Sequence, residues 1–407
     1  MVFDPHRAAL RALAFAANAA FRRAPFRPRK RVEGGFLFAA PDGTRLSMKK
    51  QILGLAMAAS TLPAMALAQG ESEPQTPPAE SPSPDAIVAA APASEWVAID
   101  AEDLLVMVLA PDAHGKNREV VIQLMPAPFS QGWVENIRTL ARAKWYDGIS
   151  VNRVQDNYVV QWGDPKHDNP EAKGDAKPLP DGLNVMKEDD YKVYNFTVDE
   201  WSALEQVLLR ANDIKLRQRF GDGFASLPSP PSNYGPPKRD DYLSIAGFSK
   251  GWPVARRTIR QSGWPVHCYG MVGVGRNYSP DTGSGAELYT VIGHAPRHLD
   301  RNIALAGRII DGMEHLSSLP RGSGVLGFYT EEEADLRTPI LSIRVASDLP
   351  ESQRPQFEYL STESGTFAAY AEARANRRDP FFIVPAGGAD ICNIPVPIRA
   401  VTGDSAE

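Results

Sequence analysis

The chain has 407 residues and a formal net charge of −5 at pH 7. A chain of this length normally holds about two or three domains. Its acidic balance argues against a nucleic-acid-binding protein, because the neutralisation of phosphates needs a basic surface.

The N-terminal part of the chain carries a targeting signal. From Met48 the sequence reads MKKQILGLAMAASTLPAMALAQG, in which lysines precede an apolar run and an Ala-x-Ala site that ends at Ala68. This pattern predicts a secretory signal peptide over residues 48–68, cleaved before Gln69, and hence a periplasmic protein. The apolar run contains Pro63 and is short for a membrane span, so we expect no stable membrane anchor.

Residues 1–47 precede this signal, although a signal peptide stands at the N-terminus of its protein. We interpret them as an upstream extension from a start codon assigned too early. Alternatively, their basic patch FRRAPFRPRKR fits an arm for nucleic acid or membrane. Residues 69–94 are rich in Pro, Glu, Ser and Ala and are predicted to form a disordered linker, so the fold should begin near Trp96.

The first predicted elements of the fold are two strands and a helix. Residues 103–110 and 118–125 either alternate between apolar and polar or are continuously apolar, which predicts the two strands. Residues 130–143 place Trp133, Ile137 and Leu140 at helical spacing, with Ser130 or the turn before it as the cap.

The next segment, YDGISVNRVQDNYVVQWGDP at residues 146–165, predicts a strand pair with a turn at residues 155–157. Alternation with its neighbours places Arg153 on a strand face rather than in a loop. Tyr158 and Gln161 follow on the second strand. The hairpin therefore holds an arginine, an aromatic residue and a glutamine, although each of them also fits an ordinary strand residue.

Residues 166–266 form a long region that opens with a charged loop rich in Pro and Gly. Thr197 with Glu200 forms a capping box, and apolar residues recur at helical spacing as far as Ala211, which predicts one helix. This helix either packs its apolar stripe on the rest of the fold or, with the aromatic residues near Tyr234 and Trp252, forms a lid or partner surface.

A second segment completes a family pattern: YGMVGVGRNYSPDTGSGAELYTVIGHAPRHLDRNIALAGRIIDGM at residues 269–313. Together with the hairpin it resembles the pocket of cyclophilins, which are peptidyl-prolyl cis-trans isomerases. The hairpin residues that keep the family spacing are Arg153, Tyr158, Val159, Gln161, Gly163 and Asp164. In the second segment they are Gly285, Tyr289, Leu299, Asp300, Gly307, Gly312 and Met313. The resemblance covers about half of the chain.

This resemblance implies a mainly β fold, a closed antiparallel cyclophilin-like β-barrel with flanking helices over residues 95–346, interrupted by the insertion 166–266. It implies isomerisation of X-Pro bonds in proline-containing polypeptides, without a cofactor. Arg153 would be the catalytic donor to the prolyl nitrogen. Gln161 would bind the substrate carbonyl, and Tyr158 would pack against the proline ring. The other substrate-binding residues would be Val159, Gly275, Arg276, Glu287, Tyr289, His298 and Leu299.

The second segment departs from the family at the pocket. Ala286 and Glu287 replace a serine–glutamine pair, His298 replaces the usual tryptophan and Ile303 the usual histidine. If Glu287 paired with Arg153, a substrate would have to compete for the guanidinium and activity would be weak. The alternative function is therefore a weak or inactive cyclophilin-like module that binds peptides as a chaperone or acts as a scaffold.

The rest of the chain predicts a closing strand at residues 340–346 and a C-terminal extension, residues 347–407, with a helix at residues 362–378. The two cysteines, Cys268 and Cys392, most simply form a disulfide in an oxidising compartment. A thiol nucleophile paired with His267 is the alternative, but neighbours on a strand face opposite sides.

No metal site is predicted. His294 and His298 lie in one segment, but Pro296 between them prevents a helical face. No acidic or cysteine ligand stands at a suitable spacing from them.

Overall fold

The computed structural model describes residues 81–164, 175–196, 245–257, 262–384, 386 and 388–401. These residues belong to one compact unit, residues 76–407. Its helices are α1 (Pro84–Ala89), α2 (Gln131–Arg142), α3 (Glu314–Ser317) and α4 (Gly365–Ala375). Its strands are β1 (Trp96–Ala98), β2 (Leu104–Leu109), β3 (Arg118–Leu124), β4 (Ser150–Val154), β5 (Val159–Gly163), β6 (Ile245–Ser249), β7 (Trp252–Arg257), β8 (Ser262–Pro265), β9 (Met271–Val274), β10 (Glu287–Val291), β11 (Leu305–Asp311), β12 (Ile340–Val345), β13 (Phe357–Leu360) and β14 (Ile398–Ala400).

An eight-stranded antiparallel sheet forms the centre of the fold, in the order β12-β2-β3-β11-β9-β10-β5-β4. Its two edge strands meet where Ser150 pairs with Pro339 and the Ile340 N–H donates to the Ile149 carbonyl at 2.8 Å. The sheet is thus nearly closed into a barrel. The predicted fold class, a mainly β antiparallel barrel with flanking helices, is confirmed.

Strand β2 explains how the C-terminal extension joins the barrel. Its sequence LLVMVL is apolar at every position, a pattern typical of a strand with both faces covered. Leu105 and Met107 pack into the main core. Leu104 and Val106 pack in a second cluster with Phe357 of β13. The extension therefore covers the outer face of the barrel at this strand.

Helix α2 lies where the sequence predicted it. Trp133, Ile137 and Leu140 are buried in the main core, as their spacing requires. Ser130 precedes the helix with φ of 55° and makes no side-chain cap; its carbonyl accepts from the N–H of Val134 at 3.1 Å instead. The predicted hairpin, closing strand and C-terminal helix also appear, as β4 with β5, β12 and α4.

The C-terminal part of the insertion forms a separate three-stranded sheet, β6-β7-β8. Trp252 of β7 and Trp264 of β8 are buried in the main core, so this part packs on the barrel. The helix predicted from Thr197 and the residue Tyr234 lie outside the described residues.

The structure differs from the predicted linker at its C-terminal end. Residues 84–89 form α1, which is capped by the Ser83 hydroxyl accepting from the Ala86 N–H at 3.2 Å. Ile87 and Val88 pack against the main core, and α1 contacts α4. The composition concealed this short helix because its stability comes from tertiary contacts rather than from its own sequence.

Cys268 and Cys392 are bonded, as predicted, with a Cα–Cα distance of 5.1 Å. The bond ties the C-terminal extension to the segment that leads into β9. Within the described ranges, no helix combines the length and the apolar character needed to cross a membrane.

Candidate active site

Arg153 of β4 lies at the centre of the site and is held from three directions. Its Nε donates to the Leu326 carbonyl at 2.7 Å, its Nη1 donates to Gln161 Oε1 at 3.0 Å, and its Nη2 donates to Gln155 Oε1. The guanidinium carbon lies 5.6 Å from the Tyr158 ring centroid and 5.2 Å from that of Phe328. These contacts fix a half-buried cation beside an aromatic ring.

A chain of amides connects Arg153 to a buried carboxylate. Gln161 of β5 accepts from Arg153 and donates through Nε2 to Glu287 Oε2 at 2.7 Å. Asn152 donates to the other carboxylate oxygen at 3.2 Å. Because a carboxylate only accepts, Glu287 fixes the orientation of the Gln161 amide and turns its oxygen toward the guanidinium. Glu287 thus acts on Arg153 through Gln161.

A hydrophobic cluster, called the Tyr158–Tyr289 cluster below, adjoins the guanidinium through the Tyr158 ring. It consists of the buried residues Val159, Tyr289 and Val291, with Tyr158, Leu299 and Ile303 packed against them. The pairing of β10 with β5 and β9 places Tyr289 opposite Gln161 and Gly273. A Cβ on Gly273 would lie 2.2 Å from the Tyr289 hydroxyl, so only glycine leaves room for this ring.

Buried polar groups hold Tyr289 of this cluster in place. Tyr289 Oη lies 2.9 Å from His267 Nε2, and His267 Nδ1 lies 2.8 Å from Asp300 Oδ1. Arg297 donates to the second oxygen of Asp300 at 2.8 Å. Burial lowers the pKa of His267, against the opposing effect of Asp300, and burial raises the pKa of Tyr289 well above its ordinary value. The imidazole and the phenol are therefore both neutral at pH 7.

The remaining predicted site residues lie around this centre. His298 stacks on Tyr158 with ring centroids 6.3 Å apart. Burial raises the pKa of Tyr158, although Arg153 opposes the shift. Gly275 donates its N–H to the Glu287 carbonyl at 2.8 Å. Arg276 donates to the Asn302 carbonyl at 2.9 Å, which ties it to the loop that follows Leu299.

No group of three or more His, Cys, Asp or Glu side chains in the described part of the chain is arranged to hold a metal ion. The polar groups of the site instead form hydrogen-bonded chains that end at Arg153 and at Tyr289. One guanidinium beside one apolar cluster suits a ligand with a small hydrophobic ring and an adjacent hydrogen-bond acceptor.

The family model "Cyclophilin type peptidyl-prolyl cis-trans isomerase/CLD" matches residues 116–345, more than half of the chain. The chain belongs to the cyclophilin family. Its enzyme class is therefore peptidyl-prolyl cis-trans isomerase.

One solved cyclophilin structure resembles the chain in fold. The cyclophilin AquaCyp293 from Hirschia baltica matches with a TM-score of 0.52 and 18% identity, over 79% of this chain and 98% of that one. A cyclophilin type peptidyl-prolyl cis-trans isomerase from Cryptosporidium parvum, solved in the presence of the dipeptide Ala-Pro, matches with a TM-score of 0.30 and 9% identity, over 60% of this chain and 98% of that one. Among curated proteins, none matches this chain.

The cyclophilin pattern led directly to Arg153, Gln161 and the pocket residues of β5 and β10, and the structure brings these together. It did not indicate Gln155, Leu326 or Phe328 as supports of Arg153. Nor did it indicate His267 beside the Tyr158–Tyr289 cluster. A backbone carbonyl such as that of Leu326 leaves no side-chain signal in a sequence. The sequence suggests a role for His267 only beside its neighbour Cys268, whereas its partners Asp300 and Tyr289 lie on other elements.

Proposed function

We propose that this cyclophilin accelerates the cis/trans isomerisation of X-Pro bonds in exported polypeptides, with Arg153 as its catalytic residue. The observation that carries the proposal is the position of the Arg153 guanidinium, held by three hydrogen bonds beside the Tyr158–Tyr289 cluster. A proline ring that packs on this cluster would place the prolyl nitrogen near the guanidinium.

A guanidinium donor at the prolyl nitrogen would act on the electronic structure of the X-Pro amide. Rotation about the X-Pro bond breaks its resonance, against a barrier of about 18–20 kcal/mol. In the twisted state the nitrogen lone pair is localised and can accept a hydrogen bond, whereas in the planar state it cannot. A donor at this nitrogen therefore binds the transition state more tightly than the ground state, which is the condition for catalysis. No nucleophile or proton transfer is needed.

The supports of Arg153 contribute by fixing its direction in advance. A charge-assisted hydrogen bond in a protected site contributes about 2–3 kcal/mol. That energy is realised only if the side chain does not have to reorient during the reaction. Tyr158, Val159 and Leu299 would restrict the proline ring, and Gln161 would orient Arg153 and, as the family resemblance implies, the substrate carbonyl.

The predicted export signal supports the choice of substrate. The signal-like sequence that begins at Met48 and the Cys268–Cys392 bond both fit an oxidising compartment such as the periplasm. Expression of the chain from Met48, followed by cell fractionation and N-terminal sequencing, is expected to give a periplasmic protein that begins at Gln69. Recovery of the uncleaved chain in the cytoplasm would contradict the periplasmic role.

A coupled proline-isomerisation assay tests the catalytic proposal. We expect Arg153→Ala to lower kcat/KM by about 30- to 150-fold, which corresponds to the loss of one charge-assisted hydrogen bond. The matched control is Arg354→Ala, because Arg354 is an exposed arginine of the C-terminal extension. Its activity should equal that of the unmodified protein, and circular dichroism should show an intact fold in both variants.

The same assay distinguishes an enzyme from a peptide-binding module. The buried Glu287 makes such a module the second candidate function. A module of that kind would bind proline peptides without accelerating their isomerisation, in the unmodified chain and in Arg153→Ala alike. Full activity in Arg153→Ala would instead show that catalysis does not pass through this residue.

A further inference from the structure

A cavity of about 290 Å³ lies away from the proposed catalytic site, where the barrel, the insertion and the C-terminal extension meet. We call it the tail cavity. Its apolar walls come from each of the three parts: Phe248 and Pro253 of the insertion, Met271 and Ile309 of the barrel, and Ile394 and Val396 of the extension. This volume lies just below the usual range for ligand pockets, about 300–1,000 Å³, so the cavity suits a small molecule or the end of a chain.

Arg308 of β11 stands in the wall of the tail cavity and is only 6% exposed. Its Nε donates to Gln123 Oε1 at 2.8 Å and its Nη1 donates to the Gly251 carbonyl at 2.7 Å. Its guanidinium carbon lies 4.2 Å from the Trp252 ring centroid. All these partners are neutral. The buried Nη2 has no hydrogen-bond partner among the described residues.

The charge of Arg308 is therefore not balanced by its surroundings. No carboxylate in the described part of the chain lies within ion-pair distance of it. Burial lowers its pKa to about 9, so the guanidinium still carries its charge at neutral pH. A buried charge is costly unless a counter-ion and hydrogen bonds compensate it. The bonds to Gln123 and Gly251 fasten the β6–β7 turn to the barrel, but they do not explain why a cation is present.

A second arginine reaches the same cavity from the extension. Arg374 of α4 lines the cavity and donates through Nε and Nη2 to the Asn393 carbonyl, at 3.0 Å and 2.8 Å. The tail cavity thus combines apolar walls with two guanidinium groups. This combination selects against a purely apolar ligand and against a cation.

We propose that the tail cavity binds a carboxylate that carries a small apolar group. The carboxylate would accept from the guanidinium of Arg308, because charge-assisted bonds between guanidinium and carboxylate are among the strongest in proteins. The apolar group would occupy the space between Phe248, Ile309 and Val396. Two sources share this chemistry, a free aliphatic acid and the C-terminal carboxylate of a polypeptide that ends in an apolar residue.

Calorimetric titration of the full chain tests the proposal with matched pairs of probes. Hexanoate and hexanamide represent the free acid, and N-acetyl-leucine and N-acetyl-leucinamide represent the end of a polypeptide. We expect at least one carboxylate to bind in the millimolar range or tighter, and its amide to bind at least about tenfold more weakly. Binding of hexanoate alone would assign the site to free acids, and binding of N-acetyl-leucine alone would assign it to polypeptide ends.

Two variants place the binding in the tail cavity. Arg308→Gln removes the charge and should weaken carboxylate binding at least about tenfold. Since Arg308 also holds Gly251, this variant could fail to fold, so Val396→Trp provides a second test that fills the cavity from its other side. Val396→Trp should abolish binding, while Arg354→Gln, a change at an exposed arginine outside the cavity, should leave it unchanged.

Three results would overturn the proposal. The first is no binding of either carboxylate up to about 20 mM, which is weaker than the expected millimolar range. The second is equal affinity for a carboxylate and its amide. The third is carboxylate binding that Val396→Trp leaves unchanged, since the ligand would then sit elsewhere. None of these results bears on isomerase activity through Arg153.

Discussion

The Tyr289 hydroxyl donates a hydrogen bond to Nε2 of His267 across 2.9 Å. The direction of this bond follows from the other side of the imidazole, where the Asp300 carboxylate can only accept and therefore takes the proton of Nδ1 at 2.8 Å. A neutral imidazole that donates through Nδ1 must accept through Nε2. The buried tyrosine of the Tyr158–Tyr289 cluster is thus held by a buried polar chain.

Removing both partners of this bond should cost less than the sum of the two single removals. Tyr289→Phe leaves the buried Nε2 without a donor, and His267→Leu leaves the buried hydroxyl without an acceptor. Each change should lower the free energy of unfolding by about 1–3 kcal/mol. The double variant should lose less than the sum of the two losses, by about 1 kcal/mol or more. Denaturant titration of the four proteins gives this coupling energy, and strictly additive losses would show that the bond contributes nothing.

Acid should destabilise the fold through the same imidazole. Burial lowers the pKa of His267 below its ordinary 6.5, so on acidification the unfolded chain takes up a proton that the folded protein excludes. The folded state then binds fewer protons, and its stability falls as the pH drops below about 6.5. One proton corresponds to about 1.4 kcal/mol per pH unit at most.

The measurement is the free energy of unfolding between pH 7 and about pH 5, a window set by the ordinary histidine pKa. His267→Gln should reduce the slope by up to one proton, because its amide does not titrate. His294→Gln, a change at an exposed histidine, should keep the slope of the unmodified protein. Identical slopes in all three proteins would mean that His267 takes up its proton in the folded state as readily as in the unfolded chain.

The Glu287 carboxylate should restrain catalysis by its charge. It is completely buried and accepts from Gln161 and Asn152. In its ionised form its negative charge would act, through the Gln161 amide, on the site where the prolyl nitrogen would bind Arg153. Glu287→Gln removes the charge and keeps the shape, with its oxygen able to keep the 2.7 Å bond from Gln161 while its NH2 group faces Asn152 in place of the 3.2 Å bond. With an effective dielectric constant of about 20, we expect kcat/KM to rise by about two- to fivefold.

The matched control for this change is Glu314→Gln, since the Glu314 side chain is 76% exposed. It should leave kcat/KM unaltered. A fall in the activity of Glu287→Gln with an unchanged fold would contradict this prediction. It would mean that the Glu287 charge helps Arg153, by orienting Gln161, more than the same charge weakens Arg153 as a donor.

The part of the site that lies on neighbouring strands could be predicted from the sequence. The contacts from residues far along the chain could not. Arg153 and Gln161 are paired across the β4–β5 hairpin, and a spacing pattern records such a local relationship. The support from Leu326 comes from a backbone carbonyl far along the chain, so no residue type reveals it. Likewise, α1 was hidden in a Pro-rich composition because its contacts with α4 arise only in the folded chain.

The Cys268–Cys392 bond should stabilise the fold more than any single contact of the site. It joins residues 124 positions apart, and closing a loop of that length in the unfolded chain is worth about 4–5 kcal/mol in the chain-entropy model. The Cys268→Ser, Cys392→Ser double variant should lose this amount in denaturant titration. Reductant should destabilise the unmodified protein to the same level and leave the double variant unaffected. A loss below about 1 kcal/mol would indicate that the extension stays docked in the unfolded ensemble or that its packing on β2 suffices without the bond.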